Sequence, residues 1–290
     1  MVRLVLWGAA LPNPPLARKI ARLIARLSRF TESYSVTQVN LTTCFPDEDL
    51  QWVRKLTRQS LEDMYFMFFE IAQLRHWDYE RLMASVEVEG QVLLDEALSH
   101  KKGLLLLVPH FGNWELMCAY LGRNYALAAL YDPPKVASLQ ALIVESRERF
   151  DGVMYPLDTG GLRNVMRHLS DNGLVALLPD QVPARDAGVY ADFFGQPALT
   201  MNLAHELIVR KQPAVLLGSV ERRLHRGEEG YCLRFQTITL DEVLDNNSTA
   251  RSINAAIEQV VLRAPEQYQW EYKRFKRPPT PGKTSIYRRQ

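Results

Sequence analysis

Cysteine is scarce in this 290-residue chain: three residues, scattered at Cys44, Cys118 and Cys232. An odd, widely spaced set offers no metal-ligand pattern and fits a reduced, cytosolic setting better than a disulfide framework. Nor do His76, His100, His168, His205 and His225 stand at spacings that build a zinc site, and no metal is expected. Long apolar runs are missing too. The stretch from Leu4 to Leu11 is too short to span a bilayer and lacks the cleavage pattern of a signal peptide. Without a glycine-rich phosphate loop, a nucleotide-binding enzyme is disfavoured. Without a Gly-x-Ser-x-Gly elbow, no serine nucleophile is supplied for an acyl-enzyme. The chain also lacks internal repeats, low-complexity tracts and a clear linker.

What remains is an ordinary globular composition, 47% apolar with a formal charge of +2, long enough to bury a substantial core. That small net charge hides two basic clusters. One comprises Arg18, Lys19, Arg22, Arg26 and Arg29; the other Lys273, Arg274, Lys276, Arg277, Lys283, Arg288 and Arg289. Both suit phosphate-bearing partners, and both read equally as a solvated helix face and a frayed tail. No aromatic–basic module of known nucleic-acid binders accompanies them, so nucleic acid is not an expected partner. Ile20, Leu23, Ile24 and Leu27 recur at helical spacing between Leu16 and Phe30. The pattern describes an amphipathic basic helix that lies on an anionic membrane, or equally one packed on the domain with a wet basic face.

A second long helix is predicted over 47–74, opened by Phe45-Pro46-Asp47. Further on, short all-apolar strands at 103–108, 127–131, 174–178 and 214–220, and an alternating strand at 231–239, are interleaved with helices. Those helices are predicted over 90–100, 113–121, 138–150, 162–170, 202–211 and 248–263. This rhythm predicts a single α/β domain: a mainly parallel central sheet flanked by helices, preceded by N-terminal helices. The division is an N-terminal helical region over 1–80 and an α/β core over 81–290, together one structural unit. In such sheets reactive groups gather at the carboxyl ends of strands.

There the chemistry-bearing residues stand. The run 103–108 leads into Pro109-His110-Phe-Gly-Asn113-Trp-Glu115. Asn113 suits a helix cap, and Gly112 permits a tight turn that folds Glu115 back toward the imidazole. A carboxylate on Nδ1 would leave Nε2 free to take a proton from a hydroxyl; a structural histidine is the plainer alternative. Arg147 and Arg149 close a helix and could bind an oxyanion or a phosphate, or simply face solvent. Asp180 and Gln181 end the strand at 174–178; they could orient an acceptor's hydroxyls, with a turn or cap as the equal reading of Asp180. Phe193 and Phe194 sit in an apolar loop over 192–200 and either line an apolar slot or belong to the core.

Taken together, these segments resemble the lysophospholipid acyltransferase superfamily, and within it the late acyltransferases of lipid A biosynthesis. His110-Phe-Gly-Asn-Trp-Glu115 resembles the family's His-x4-acid block. Leu178-Pro-Asp-Gln181 and Phe193-Phe-Gly-Gln-Pro-Ala-Leu-Thr200 resemble its next blocks. Asn40-Leu with Cys44-Phe-Pro46 is similar to its N-terminal region, and Pro265-Glu-Gln-Tyr-Gln-Trp270 with Lys273-Arg-Phe-Lys276 to its C-terminal signature. The resemblance implies a glycerol-phosphate-acyltransferase-like fold. It implies His110 as general base, Glu115 as its partner, Arg149 as the oxyanion or phosphate contact, and Asp180 and Gln181 beside it. Asn113, Arg147, Phe193 and Phe194 are the remaining candidates for substrate contact. It further implies an acyl thioester donor, on acyl carrier protein or coenzyme A, and a lipid acceptor, first a lipid A precursor. Another glycolipid, a lysophospholipid or an aminolipid is the alternative acceptor, and a non-catalytic lipid- or acyl-carrier-protein-binding protein is the other class. No cofactor is required. Relatives often carry a longer apolar N-terminal anchor, so the expected location is the cytoplasmic face of a bacterial inner membrane, attached peripherally or weakly.

Overall fold

The computed structural model describes residues 7–133, 144–223, 230–280 and 285–287. After a helical stretch at 7–10, four helices follow among the described residues: α1 (Pro14–Leu27), α2 (Glu32–Cys44), α3 (Leu50–His76) and the short α4 (Tyr79–Met83). Asn13 starts α1, its Oδ1 accepting from Leu16 N–H at 3.0 Å, with the prolines in the first turn where no amide donor is needed. Asp49 caps α3 in the same way at 2.7 Å, so this helix begins at Leu50 rather than at Asp47. α2 was not anticipated. Its buried side includes Thr37 and Asn40, so no apolar stripe marks it in the sequence.

The core then alternates β1 (Val86–Glu89), α5 (Gln91–Ser99), β2 (Leu104–Leu107), α6 (Trp114–Asn124) and β3 (Leu127–Tyr131). β4 (Val153–Pro156), α7 (Thr159–Ser170), β5 (Leu174–Leu177), β6 (Gly188–Phe193) and β7 (Gln196–Met201) follow. α8 (Leu203–Lys211), β8 (Ala214–Arg223), β9 (Gly230–Thr237) and α9 (Asn246–Arg263) complete it. The seven-stranded sheet runs β1-β9-β8-β2-β5-β3-β4, and only the β8–β9 pair is antiparallel. A mainly parallel sheet with helices on both faces is the expected architecture. Strands β1 and β4 were not foreseen, and the expected loop over 192–200 is a hairpin, β6–β7, turning at Phe194 and Gly195. Of the helix expected over 138–150, residues 144–148 are helical; 138–143 lie outside the described residues, as do His225, Lys283, Arg288 and Arg289.

β2 explains why a central strand reads Leu-Leu-Leu-Leu. Leu105 and Leu107 join the core beneath α7, α8 and α9, while Leu104 and Leu106 join the core beneath α5 and α6. All four are fully buried, worth about 1.5–3 kcal/mol each relative to exposure. Among the described residues no helix is long and apolar enough to cross a membrane.

Candidate active site

The site forms where β2 and β5 end side by side. Leu107 pairs with Leu177, and both chains continue through a proline to a polar residue, His110 and Asp180. The Asp180 carboxylate accepts twice from the same residue: the His110 backbone N–H donates to Oδ2 at 2.8 Å, and Nδ1 lies 2.7 Å from Oδ1. Asp180 is 2% exposed. Burial pushes its carboxyl up, but His110, through its charge and both hydrogen bonds, outweighs this with help from Arg274, leaving it below the usual carboxylate range. On the other side of the ring, Gln181 Nε2 stands 3.1 Å from Nε2, and Trp114 packs its ring 5.0 Å away, tilted at 62°.

The turn that carries His110 is held from behind. Gly112 N–H donates to Gln267 O at 2.9 Å, Asn113 N–H to Val220 O at 3.2 Å, and Arg222 Nη2 to Gly112 O at 3.0 Å. Gly112 has φ +59, and a Cβ there would sit 1.6 Å from Val220 O, so the close approach needs glycine twice over. The C-terminal strap closes the ring of motifs. Gln269 N–H donates to His110 O at 3.1 Å, Asn40 Nδ2 to Trp270 O at 2.7 Å, and Arg274 Nη2 to Thr200 Oγ1 at 2.8 Å. Segments far apart in sequence thus meet at one place.

Several expectations need correction. Glu115 does not meet the imidazole. It lies in the first turn of α6, where Arg147 Nε donates to Oε2 at 2.9 Å and Nη2 to Oε1, a bidentate pair. Burial alone would raise the Glu115 carboxyl, but the Arg147 guanidinium holds it below its ordinary value. The Nδ1 position is taken by Asp180, brought in by strand pairing rather than by chain proximity. Arg149 is directed elsewhere as well: Nη1 donates to Leu74 O at 2.8 Å and to Trp77 O, serving carbonyls at the end of α3. Asn113 caps α6, its Oδ1 accepting from Leu116 N–H at 3.3 Å, and is buried. Phe193 is fully buried, packed against Phe194, Tyr268 and Phe275, so it belongs to the core and lines no open slot. Phe194 is partly buried against Phe45 and Trp270. Residues missed from sequence are Arg222, Gln267 and Gln269; only the C-terminal motif pointed toward the last two.

An apolar cleft of about 180 Å³ opens beside Trp114 and Gln269, lined also by Met64, Met67, Phe68 and Tyr268. Through Asp63, Arg222, Glu266 and Gln267 it adjoins a larger polar groove of about 1090 Å³ beside α1. Three free cysteines and no metal-ligand cluster occur among the described residues.

An α/β sheet with an acid–histidine pair at its carboxyl edge, next to an apolar cleft reached through Trp114 and Gln269, has the layout of a group-transfer protein. The particular family follows from comparison. Residues 1–277 match the bacterial lipid A biosynthesis acyltransferase family, and the chain belongs to it. It is 27% identical to the lipid A biosynthesis palmitoleoyltransferase of Escherichia coli (strain K12), over 98% of this chain and 92% of that protein. Identity is also 27% to the lipid A biosynthesis lauroyltransferase of the same organism, over 95% and 90% of the two chains. A phosphatidylinositol mannoside acyltransferase of Mycolicibacterium smegmatis is 32% identical over 52% of each chain.

Proposed function

We propose that the protein transfers a fatty acyl chain from an acyl thioester, on acyl carrier protein or coenzyme A, to a hydroxyl of a lipid A precursor, with His110 as general base. The observation that carries this reading is the row Asp180–His110–Gln181. An ionised Asp180 accepts a hydrogen bond from Nδ1–H and leaves the Nε2 lone pair outward, where Gln181 now donates to it. The acceptor hydroxyl displaces the Gln181 amide and occupies that point. His110 takes its proton as the oxygen adds to the thioester carbonyl. Collapse of the tetrahedral species breaks the carbon–sulfur bond, and the thiolate leaves with the proton from His110.

Family membership supports the lipid A precursor as acceptor, the apolar cleft supports an acyl chain, and the adjoining polar groove supports a headgroup. We place the protein peripherally on the cytoplasmic face of a bacterial inner membrane, held by α1 and the basic residues around it. The similarity to the mannoside acyltransferase over half the chain favours another anionic glycolipid as the second acceptor class.

Mass spectrometry of acyl transfer tests the reading. Native protein and its His110→Ala variant receive acyl carrier protein thioesters or acyl-CoA, with a lipid A precursor or a phosphatidylinositol mannoside. A new acyl ester made by the native protein alone is the expected result and identifies donor and acceptor. Equal product from both proteins rules out His110 as the base.

A further inference from the structure

The acid–histidine row accounts for one carboxylate of the site and leaves another unused. Glu271 follows Gln269 and Trp270 on the C-terminal strap and lines the apolar cleft with Met64, Phe68 and Trp114. Gln269 joins it to the row. Its backbone N–H donates to His110 O at 3.1 Å, and its Oε1 accepts from Gln181 Nε2 at 3.2 Å, the nitrogen that stands on His110 Nε2. Glu115 also feels the histidine but is paired with Arg147, whereas Asp180 and Glu271 occupy opposite environments. Asp180 is clamped by two donors and held below its ordinary range. Burial pushes Glu271 up to about 7, against weaker opposing pulls from its own backbone N–H, the Gln269 side chain and His110.

Among the described residues, the groups that share the cleft with Glu271 do not offset its burial. α3 contributes Asp63, its own strap Glu266, β8 Arg222, and the catalytic turn His110. Arg222 is already bound to Glu70 through Nε at 2.7 Å and Nη2 at 2.5 Å. The site also needs a donor for the thioester oxygen. Arg149 is committed to the end of α3 and Arg147 to Glu115, and the amides of Gly112 and Asn113 are bonded to carbonyls. Where two carboxyls in one site are driven apart in this way, they divide the basic and the acidic roles.

We propose, building on the acyltransferase reading, that Glu271 is a catalytic residue: its carboxylic O–H donates a hydrogen bond to the thioester carbonyl oxygen and to the oxyanion formed there. As the acceptor oxygen adds, the carbonyl π pair moves onto that oxygen, which Glu271 holds without giving up its proton. His110 carries the acceptor's proton. When the pair returns, the carbon–sulfur bond breaks, and the thiolate takes the proton from His110. Glu271 ends as it began. Ionised, it cannot donate and repels the developing charge, so turnover falls as pH rises through about 7.

The test is the pH dependence of kcat and KM for acyl transfer in the native protein, Glu271→Gln and Glu271→Ala. Glutamine keeps a donor and cannot ionise. It is expected to lose about tenfold in kcat at neutral pH and to abolish the alkaline limb. Alanine is expected to lose about 10²-fold in kcat, with KM for the donor changed far less. An alkaline limb unmoved in Glu271→Gln, or native kcat in Glu271→Ala, overturns this inference alone. Native protein that transfers no acyl chain at any pH overturns the acyltransferase reading, and this inference with it.

Discussion

His110 and Asp180 are joined by two hydrogen bonds from one residue, ring to Oδ1 at 2.7 Å and backbone to Oδ2 at 2.8 Å. The aspartate therefore fixes the tautomer of the imidazole and the position of the turn that carries it. Asp180→Asn keeps the shape but no longer selects the Nδ1–H form. A loss of about 10²- to 10⁴-fold in kcat is expected, with donor KM changed much less. A kcat within a few-fold of native would remove Asp180 from the mechanism.

The same carboxylate makes a pH-dependent contribution to folding. Its pKa is depressed in the folded state, so its stabilisation is present above the unfolded value, about 3.9, and disappears as pH falls through the folded value. Denaturant melts of native protein and Asp180→Asn should differ at pH 7 and converge in acid. A gap that widens as pH falls would give the shift the opposite sign.

Glu115 and Arg147 form a largely buried ion pair, with side chains 15% and 25% exposed. Removing either partner leaves the other charge poorly solvated, at a cost of about 2–4 kcal/mol. Glu115→Ala and Arg147→Ala should each destabilise, and the double variant should cost less than the sum, because the pair is one unit. Additive losses in chemical denaturation would show that the two act independently.

Arg149 serves the carbonyls of Leu74 and Trp77 from an exposed position. Arg149→Ala is expected to lower stability by about 1–2 kcal/mol while kcat stays within a few-fold. A 10²-fold loss of kcat at unchanged stability would return Arg149 to the oxyanion.

The central strands of the sheet were legible because all-apolar runs of four or five residues have few other uses, whereas β1 (VEVE), β4 (VMYP) and α2 carry no such run. The partner of His110 was misread for a physical reason. Glu115 is near in sequence, whereas Asp180 arrives through pairing of β2 with β5, strands separated in the chain by β3 and β4. Yet the signal was present. Leu104 pairs with Leu174, and His110 and Asp180 each lie six residues beyond, after a proline in both segments. Two identical strand endings at one sheet edge predict that their polar residues meet, once adjacency is known. Adjacency is what periodicity does not carry. Phe193 was ambiguous for the opposite reason, since an aromatic pair in an apolar stretch reads the same in a core and beside a cavity.

α1 turns the small side of its surface inward. Ala17, Ala21 and Ala25 are buried against α3 with Arg18, which is paired to Asp63, while Leu16, Leu23, Ile24 and Leu27 face outward at 39–72% exposure. A helix that served only to pack on the domain would bury its leucines. Exposed leucines flanked by Lys19 and Arg26, with Arg22 paired to Glu62, fit our proposal that α1 inserts shallowly into an anionic surface. At about 1 kcal/mol for each leucine that enters the interface, Leu23→Glu with Leu27→Glu should weaken binding to phosphatidylglycerol vesicles by about 30-fold. Circular dichroism should be unchanged, because neither side chain is buried. Lys19→Glu with Arg26→Glu should weaken binding to anionic vesicles only, and added salt should do the same to the native protein. Flotation with vesicles measures all three. Native protein that stays at the bottom of the gradient, or binding untouched by the leucine substitutions, would remove α1 from the membrane.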